Sequence, residues 1–190
     1  ADVLRRNDRY GESGKYYDLA IERTVDHEAR HWSLFYSRGV MLERTKQWSR
    51  AEADFLYALE LQPNQPLVLN YLGYSWVEQG TNLERAMELI ERAVALRPTD
   101  GYIVDSLGWA FFRLGDYSKS VKYLERAVEL RADDPIISDH LGDIYWKVGR
   151  RNEARFQWQR SLVLGAEDEA AVLIRQKLKD GMPDEPEDTQ

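Results

Sequence analysis

His27-Glu28-Ala29-Arg30-His31 is the stretch of this chain whose residue types and spacing spell out a reaction. On a helix, imidazoles four residues apart share a face and can hold a zinc ion, while the glutamate beside them polarises a water. A catalytic zinc also needs a third protein ligand. The remaining histidine, His140, lies far downstream, so that ligand would have to be a carboxylate. Cysteine is absent, which excludes disulfides, thiolate metal sites and a cysteine nucleophile. No serine stands in G-x-S-x-G, and neither a phosphate loop nor G-x-G-x-x-G occurs. Carboxylates mostly alternate with bases, as at Glu84-Arg85 and Glu125-Arg126, the pattern of solvated helix faces. The reading is therefore a non-enzyme with no cofactor, in which the histidine motif is the solvated end of a helix. A zinc-dependent hydrolase on His27, Glu28 and His31 is the alternative.

Composition bounds the elements that must position such residues. The chain has 190 residues, 43% hydrophobic and 31% charged, enough apolar content to fill a core. A net charge of -7 and a pI near 5.1 speak against a binder that grips nucleic-acid phosphates. A helical-repeat RNA reader stays as a second alternative, one that would need a basic groove. The uncharged run that ends at Val77 falls short of the roughly 20 apolar residues a membrane span needs. No signal peptide opens the chain, and Ala1 to Arg6 read like the middle of a helix, as in a piece of a longer protein.

Internal repetition organises the rest. Gly39, Gly73, Gly108 and Gly142 are separated by 34, 35 and 34 residues. Ala51, Ala86, Ser120 and Ala154 keep nearly the same step, and so do Ala58, Ala93, Ala127 and Ser161. Each unit reads as two helices. In the third, Ile103, Leu107, Ala110, Phe111 and Leu114 follow helical spacing up to Gly115-Asp116. A second stripe, Tyr117, Val121, Leu124 and Val128, runs to the break before Pro135. Pro63, Pro98 and Pro135 separate units. The glycine of each first helix is expected to face the small residue about twelve positions later, which lets two backbones approach. One such pair cannot bury its stripe alone, so neighbours must stack.

These residues resemble the tetratricopeptide repeat, whose pattern runs W-x2-L-G-x2-Y, then A-x3-F, then P. The first full unit supplies Gly39, Ala51, Phe55, Ala58 and Pro63, and the second Leu72, Gly73, Trp76, Ala86, Ala93 and Pro98. The third supplies Leu107, Gly108, Phe111, Leu124 and Ala127, and the fourth Leu141, Gly142, Tyr145, Ala154 and Trp158. Arg38 stands where the family has leucine, Ser120 where it has alanine, and Ala132 and Ala166 where it has proline. The resemblance implies an all-α, right-handed α-solenoid of helix-turn-helix repeats with a C-terminal capping helix. The expected divisions are a degenerate or truncated repeat over 1–31, then repeats over 32–65, 66–100 (with a one-residue insertion), 101–134 and 135–168. A capping helix over 169–180, closed by Asp168 and Gly181, and an acidic disordered tail over 181–190 complete the chain.

The resemblance also implies a non-catalytic protein–protein interaction scaffold whose first helices line a concave groove. Carried over residue by residue, the groove positions are Tyr36, Asn70, Tyr74, Tyr102, Asp105, Trp109, Arg113, Asp139, His140, Asp143, Trp146 and Lys147. Val40, Arg44, Tyr71, Glu78 and Phe112 accompany them. Packing between repeats and partner binding are evenly matched readings of Tyr71 and Phe112. For Tyr74, Trp109 and Trp146 the partner is favoured, because exposed aromatics are common hot spots. Chaperone-binding members grip a C-terminal carboxylate with basic groove residues. That clamp is missing here, and Asp105, Asp139 and Asp143 would repel a carboxylate. The expected partner is therefore a protein or peptide of apolar and basic character, not a nucleic acid. The run Leu69-Asn70-Tyr71-Leu72-Gly73-Tyr74-Ser75-Trp76, with Ser106-Leu107-Gly108-Trp109, also resembles bacterial exported repeat proteins. Some of these are outer-membrane lipoproteins that serve as adaptors for a periplasmic processing protease, which implies a periplasmic location. The N-terminal edge, with Val3, Leu4, Tyr10, Tyr16, Tyr17, Leu19 and Ile21, is expected to fray or to form a homodimer.

Overall fold

The computed structural model describes residues 10–24 and 26–182, and among these every regular element is helical. The chain divides between Leu96 and Arg97 into two compact units. The first holds α1 (Tyr10–Glu22), a 3-10 turn (Ala29–His31), α2 (Trp32–Arg44), α3 (Trp48–Leu61), α4 (Pro66–Gln79) and α5 (Leu83–Leu96). Within it α2 pairs with α3, α4 pairs with α5, and α1 lies against α2. The second holds α6 (Gly101–Arg113), α7 (Tyr117–Leu130), α8 (Pro135–Lys147), α9 (Arg151–Val163) and α10 (Asp168–Asp180). There α6 pairs with α7 and α8 with α9, α7 rests on α8, and α10 rests on α9.

Local chemistry sets the helix ends. The Asp134 carboxylate accepts the N–H groups of Ile136 and Ile137 at 2.9 and 3.1 Å, and Pro135 fills the first helical position, where no N–H is needed. Asp116 does the same for α7 by accepting from the Lys119 N–H at 3.1 Å. Gly115 and Gly149 take φ of +78° and +81° behind α6 and α8, a left-handed turn that a side chain would strain and that stops the helix.

The apolar stripes meet inside each unit. Phe55, Leu72, Trp76 and Ile90 are fully buried in the first, and Leu124, Leu141, Ile144, Trp158 and Ile174 in the second. Cutting one of these large side chains to alanine is expected to cost about 2–5 kcal/mol. The two buried indoles also find acceptors, Trp76 on Glu52 at 2.6 Å and Trp158 on Asp143 at 2.8 Å.

Gly39 and Gly108 pack differently from the expectation above. A Cβ at Gly39 would stand 2.6 Å from the Phe55 ring, and one at Gly108 would stand 2.7 Å from Leu124 Cγ. Their nearest neighbour is the large residue one turn beyond Ala51 or Ser120, whereas a Cβ at Gly73 would meet both Ile90 Cγ1 at 2.7 Å and the carbonyl of Ala86, the expected small residue, at 2.9 Å. A helical side chain leans toward the N-terminus of its own helix, so Phe55 and Leu124 cover the spot opposite the glycine.

Two ends of the array are fastened by ions. Arg38, in the family's leucine position, donates Nε and Nη2 to Asp54 of α3 at 2.7 Å each and Nη1 to Asp18 of α1 at 2.9 Å. Tyr17 of α1 is buried, whereas Tyr16 and Leu19 are exposed; Val3, Leu4 and the Tyr10 side chain lie outside the described residues. At the other end, α10 buries Ala171 and Ile174, and Glu167 holds its N-cap position in place of the expected Asp168. The expected start of the tail at 181 also shifts. The Trp146 indole donates to the Met182 carbonyl at 3.2 Å, and Met182 packs on the buried cluster around Trp158. Residues 183–190 lie outside the described residues.

Candidate functional site

In the first unit, α2 and α4 bring their aromatic residues together. Tyr36 meets Tyr71 edge-on at 5.9 Å between centroids, and Tyr71 in turn leans on Phe55 at 5.2 Å. The Tyr71 hydroxyl donates to Glu43 at 3.1 Å. Burial, with the Glu43 carboxylate second, pushes its phenol above the ordinary range. Tyr71 and Tyr74 then form one wall of a cleft of about 420 Å³ whose other lining includes Glu43, Arg44, Glu78 and Gln79. Asn70 stands nearby on α4 with its Oδ1 buried and unpartnered among the described residues.

In the second unit Trp109, His140 and Asp105 are brought together and packed on one another, while Tyr102 and Arg113 stay exposed. Trp109 stacks between Phe112 (4.7 Å, 12°) and His140 (4.1 Å, 16°). His140 Nδ1 bridges both oxygens of Asp105 at 3.0 and 3.1 Å, and both residues are buried. Burial alone would lower this imidazole's pKa, but the Asp105 carboxylate, with Asp143 and Asp139 behind it, outweighs that and raises it. Lys177 reaches in from α10 and donates to Asp139 at 2.9 and 3.1 Å and to Asp143 at 2.7 and 2.8 Å. Burial, and then the Asp139 charge, still hold the Asp143 carboxyl above its ordinary value, because two acids share one ammonium. Trp146 lies on Trp158 at 5.3 Å with the Arg151 guanidinium 3.8 Å over its ring. Tyr102 keeps 47% of its surface exposed, with Arg131 4.0 Å above one face. Arg113 is exposed and Lys147 half-buried.

Trp109 and Trp146 thus spend their faces on neighbours within the unit, and Asp105, Asp139 and Asp143 are already paired. Sequence reasoning missed Lys177 and the exposed Ile136. The repeat period would have found both, since Lys177 follows Asp143 and Ile136 follows Tyr102 by 34 residues.

The histidine motif does not form the helix that a shared zinc-binding face would need. Glu28 is the N-cap of the 3-10 turn, and its N–H donates to His31 Nδ1 at 2.9 Å, so that ring nitrogen accepts from the backbone. His27 lies before the turn, its Nδ1 3.0 Å from the Tyr57 hydroxyl and its ring edge-on to Phe35. The two imidazoles serve separate neighbours. Among the described residues, no group of three or more histidines and carboxylates is placed to hold a metal ion, and no helix is long and apolar enough to cross a membrane.

A sequence profile of the tetratricopeptide repeat matches residues 1–66, 47–101 and 106–171. A TPR repeat-containing protein of Pseudomonas aeruginosa is 30% identical over 115 residues, 60% of this chain, and the match spans 19% of that protein's length. Among solved structures, a thermophilic TPR protein of Thermus thermophilus superposes with a TM-score of 0.74 at 19% identity, covering 94% of this chain and 93% of that one. PilF of Pseudomonas aeruginosa gives 0.74 at 18% identity, covering 92% and 78%. MamA from Desulfovibrio magneticus RS-1 gives 0.69 at 20% identity, covering 86% and 89%. At these identities the structural likeness carries the fold: an all-α solenoid of helix-turn-helix repeats.

Proposed function

The chain belongs to the tetratricopeptide repeat family, a family of protein–protein interaction scaffolds, and on that premise we propose that it holds an extended segment of a partner protein against its first helices. The observation that carries this reading is the 420 Å³ cleft beside Tyr71 and Tyr74. Tyrosine rings there offer apolar area at small entropic cost, and the lining carries two carboxylates, Glu43 and Glu78, against one guanidinium, Arg44, a balance that favours lysine or arginine in the segment. Its action is binding rather than catalysis. A phage-displayed peptide library selected on the full chain tests it. Enriched segments should combine apolar and basic residues, and Tyr74→Ala should weaken their binding about tenfold or more. Selection of acidic segments, or binding indifferent to Tyr74→Ala, would overturn it.

Two finer readings belong to the same proposal. Likeness to exported adaptor proteins makes a processing protease or its substrate the partner and the periplasm the location, which fractionation of the native host checks. The N-terminal edge, through the exposed Tyr16 and Leu19 of α1, is a surface for a second copy. Sedimentation of Tyr16→Lys/Leu19→Lys against the parent chain checks that.

A further inference from the structure

We propose that the cleft between the start of α8 and α10 is a specificity pocket that takes an aliphatic side chain of the partner segment with a lysine or arginine beside it. The inference rests on the scaffold reading above and adds a second site to it. The cleft encloses about 350 Å³, room for one or two aliphatic side chains and near the lower end of ligand pockets. Ile136, Ala166, Ala170 and Ile174 supply its apolar wall, and Asp139 and Glu167 line it as well. Ile136 is 59% exposed on the first turn of α8, which leaves a branched apolar side chain uncovered at the mouth.

The charge of the surroundings selects the neighbour. Asp139 and Asp143 divide the single ammonium of Lys177, and His140 is taken by Asp105. Glu167 is exposed at the rim. No lysine or arginine is among the lining residues. The lining thus carries two carboxylates and no base, and since Lys177 already serves Asp139, a cationic side chain next to the inserted one complements Glu167. The same balance disfavours the chain's own residues 183–190, which carry four carboxylates and no base.

Titration of the full, 15N-labelled chain with three blocked peptides, Gly-Leu-Lys-Gly, Gly-Ala-Lys-Gly and Gly-Leu-Glu-Gly, tests the pocket by NMR. The leucine–lysine peptide should shift the amides of 135–139 and 166–174, and do so about tenfold more tightly than either control. Ala170→Phe fills the cleft from an exposed position and should abolish these shifts. Glu167→Lys leaves the cleft open and should weaken the leucine–lysine peptide while sparing the leucine–glutamate one. Equal affinity for all three peptides, or shifts that survive Ala170→Phe, overturn the pocket. So do contacts from residues 183–190 to Ala170 in the unliganded chain, which would make the tail the occupant. Shifts confined to the Tyr71–Tyr74 cleft would remove this pocket and leave the scaffold reading standing. Library-selected segments that shift neither cleft would remove the scaffold reading itself.

Discussion

The two units carry the same repeat and put their charges to opposite uses. In the first, Arg38 joins the buried Asp54 and the half-exposed Asp18, tying α1, α2 and α3 together, while Glu43 and Glu78 stand around the tyrosine cleft. In the second, the acids of the first-helix face are themselves buried, and Lys177 and His140 neutralise them from within the unit. Repeat position fixes where a side chain points. Whether it remains available to a partner depends on what the next element brings, and α10 brings a lysine. The residue that follows the repeat glycine shows the difference directly: Tyr74 lines an open cleft, whereas Asp143 in the same register is sealed under Lys177 and Trp158.

The largest effect expected from breaking this contrast is at Arg38. Arg38→Leu restores the family residue but leaves Asp54 buried without its cation, so it should destabilise the chain by about 4 kcal/mol in urea unfolding. The double change Arg38→Leu/Asp54→Leu should recover most of that loss, since a buried pair and an apolar pair of similar volume are nearly equivalent. A single change that costs less than about 1 kcal/mol would show that Asp54 is not held by the clasp.

Next comes Lys177→Met. It keeps the stem of the side chain and removes the charge between Asp139 and Asp143, so about 3 kcal/mol should be lost, concentrated at α10. Amide exchange of 171–180 is the direct readout. Adding Asp139→Asn and Asp143→Asn should slow that exchange again. If α10 stays equally protected in the single variant, Ala171 and Ile174 alone hold it, and the second unit's clasp is not the counterpart of the first's.

A smaller loss, about 2 kcal/mol, is expected for Gly108→Ala, because even a methyl would meet Leu124 side chain and backbone at 2.7–3.0 Å. Gly108→Ala/Leu124→Ala should then cost less than the sum of its parts, since each relieves the other. Strict additivity would deny the glycine–leucine contact and with it the packing shared by both units.

The repeat frame was legible because it rests on a period, and four glycines at 34- and 35-residue steps leave little freedom. The site was legible only in part. Tyr102 falls at a groove position by register, and it keeps 47% of its surface exposed. Trp109 was not separable from a binding residue by sequence, because its two stacking partners come from its own helix and from the next repeat. Arg38 stands out in the sequence only as a departure from the family's leucine, since nothing in linear order ties it to Asp18 and Asp54. The His27–His31 spacing means something for zinc only on a helix, and the backbone over 29–31 is a 3-10 turn.

The smallest effect is a pH dependence confined to the second unit. His140 faces Asp105 directly, with Asp139 and Asp143 behind it and Lys177 between those two acids. Its native pKa is raised above the ordinary 6.5, so the folded chain binds the proton more tightly than the unfolded chain does. A group of this kind adds stability below its unfolded pKa and loses it as pH rises through the native value. Stability should therefore decline as pH climbs from about 6 into the alkaline range, beginning near the unfolded value of about 6.5. His140→Gln keeps a hydrogen-bond donor for Asp105 and removes the titration, so it should flatten the slope while lowering stability at pH 6. Chemical-denaturation midpoints at several pH values, followed by amide exchange in 103–111 and 137–145, would locate the effect. A slope unchanged in His140→Gln, or one of opposite sign, would mean that the imidazole is neutral in the native state. The second unit's acids would then rely on Lys177 alone.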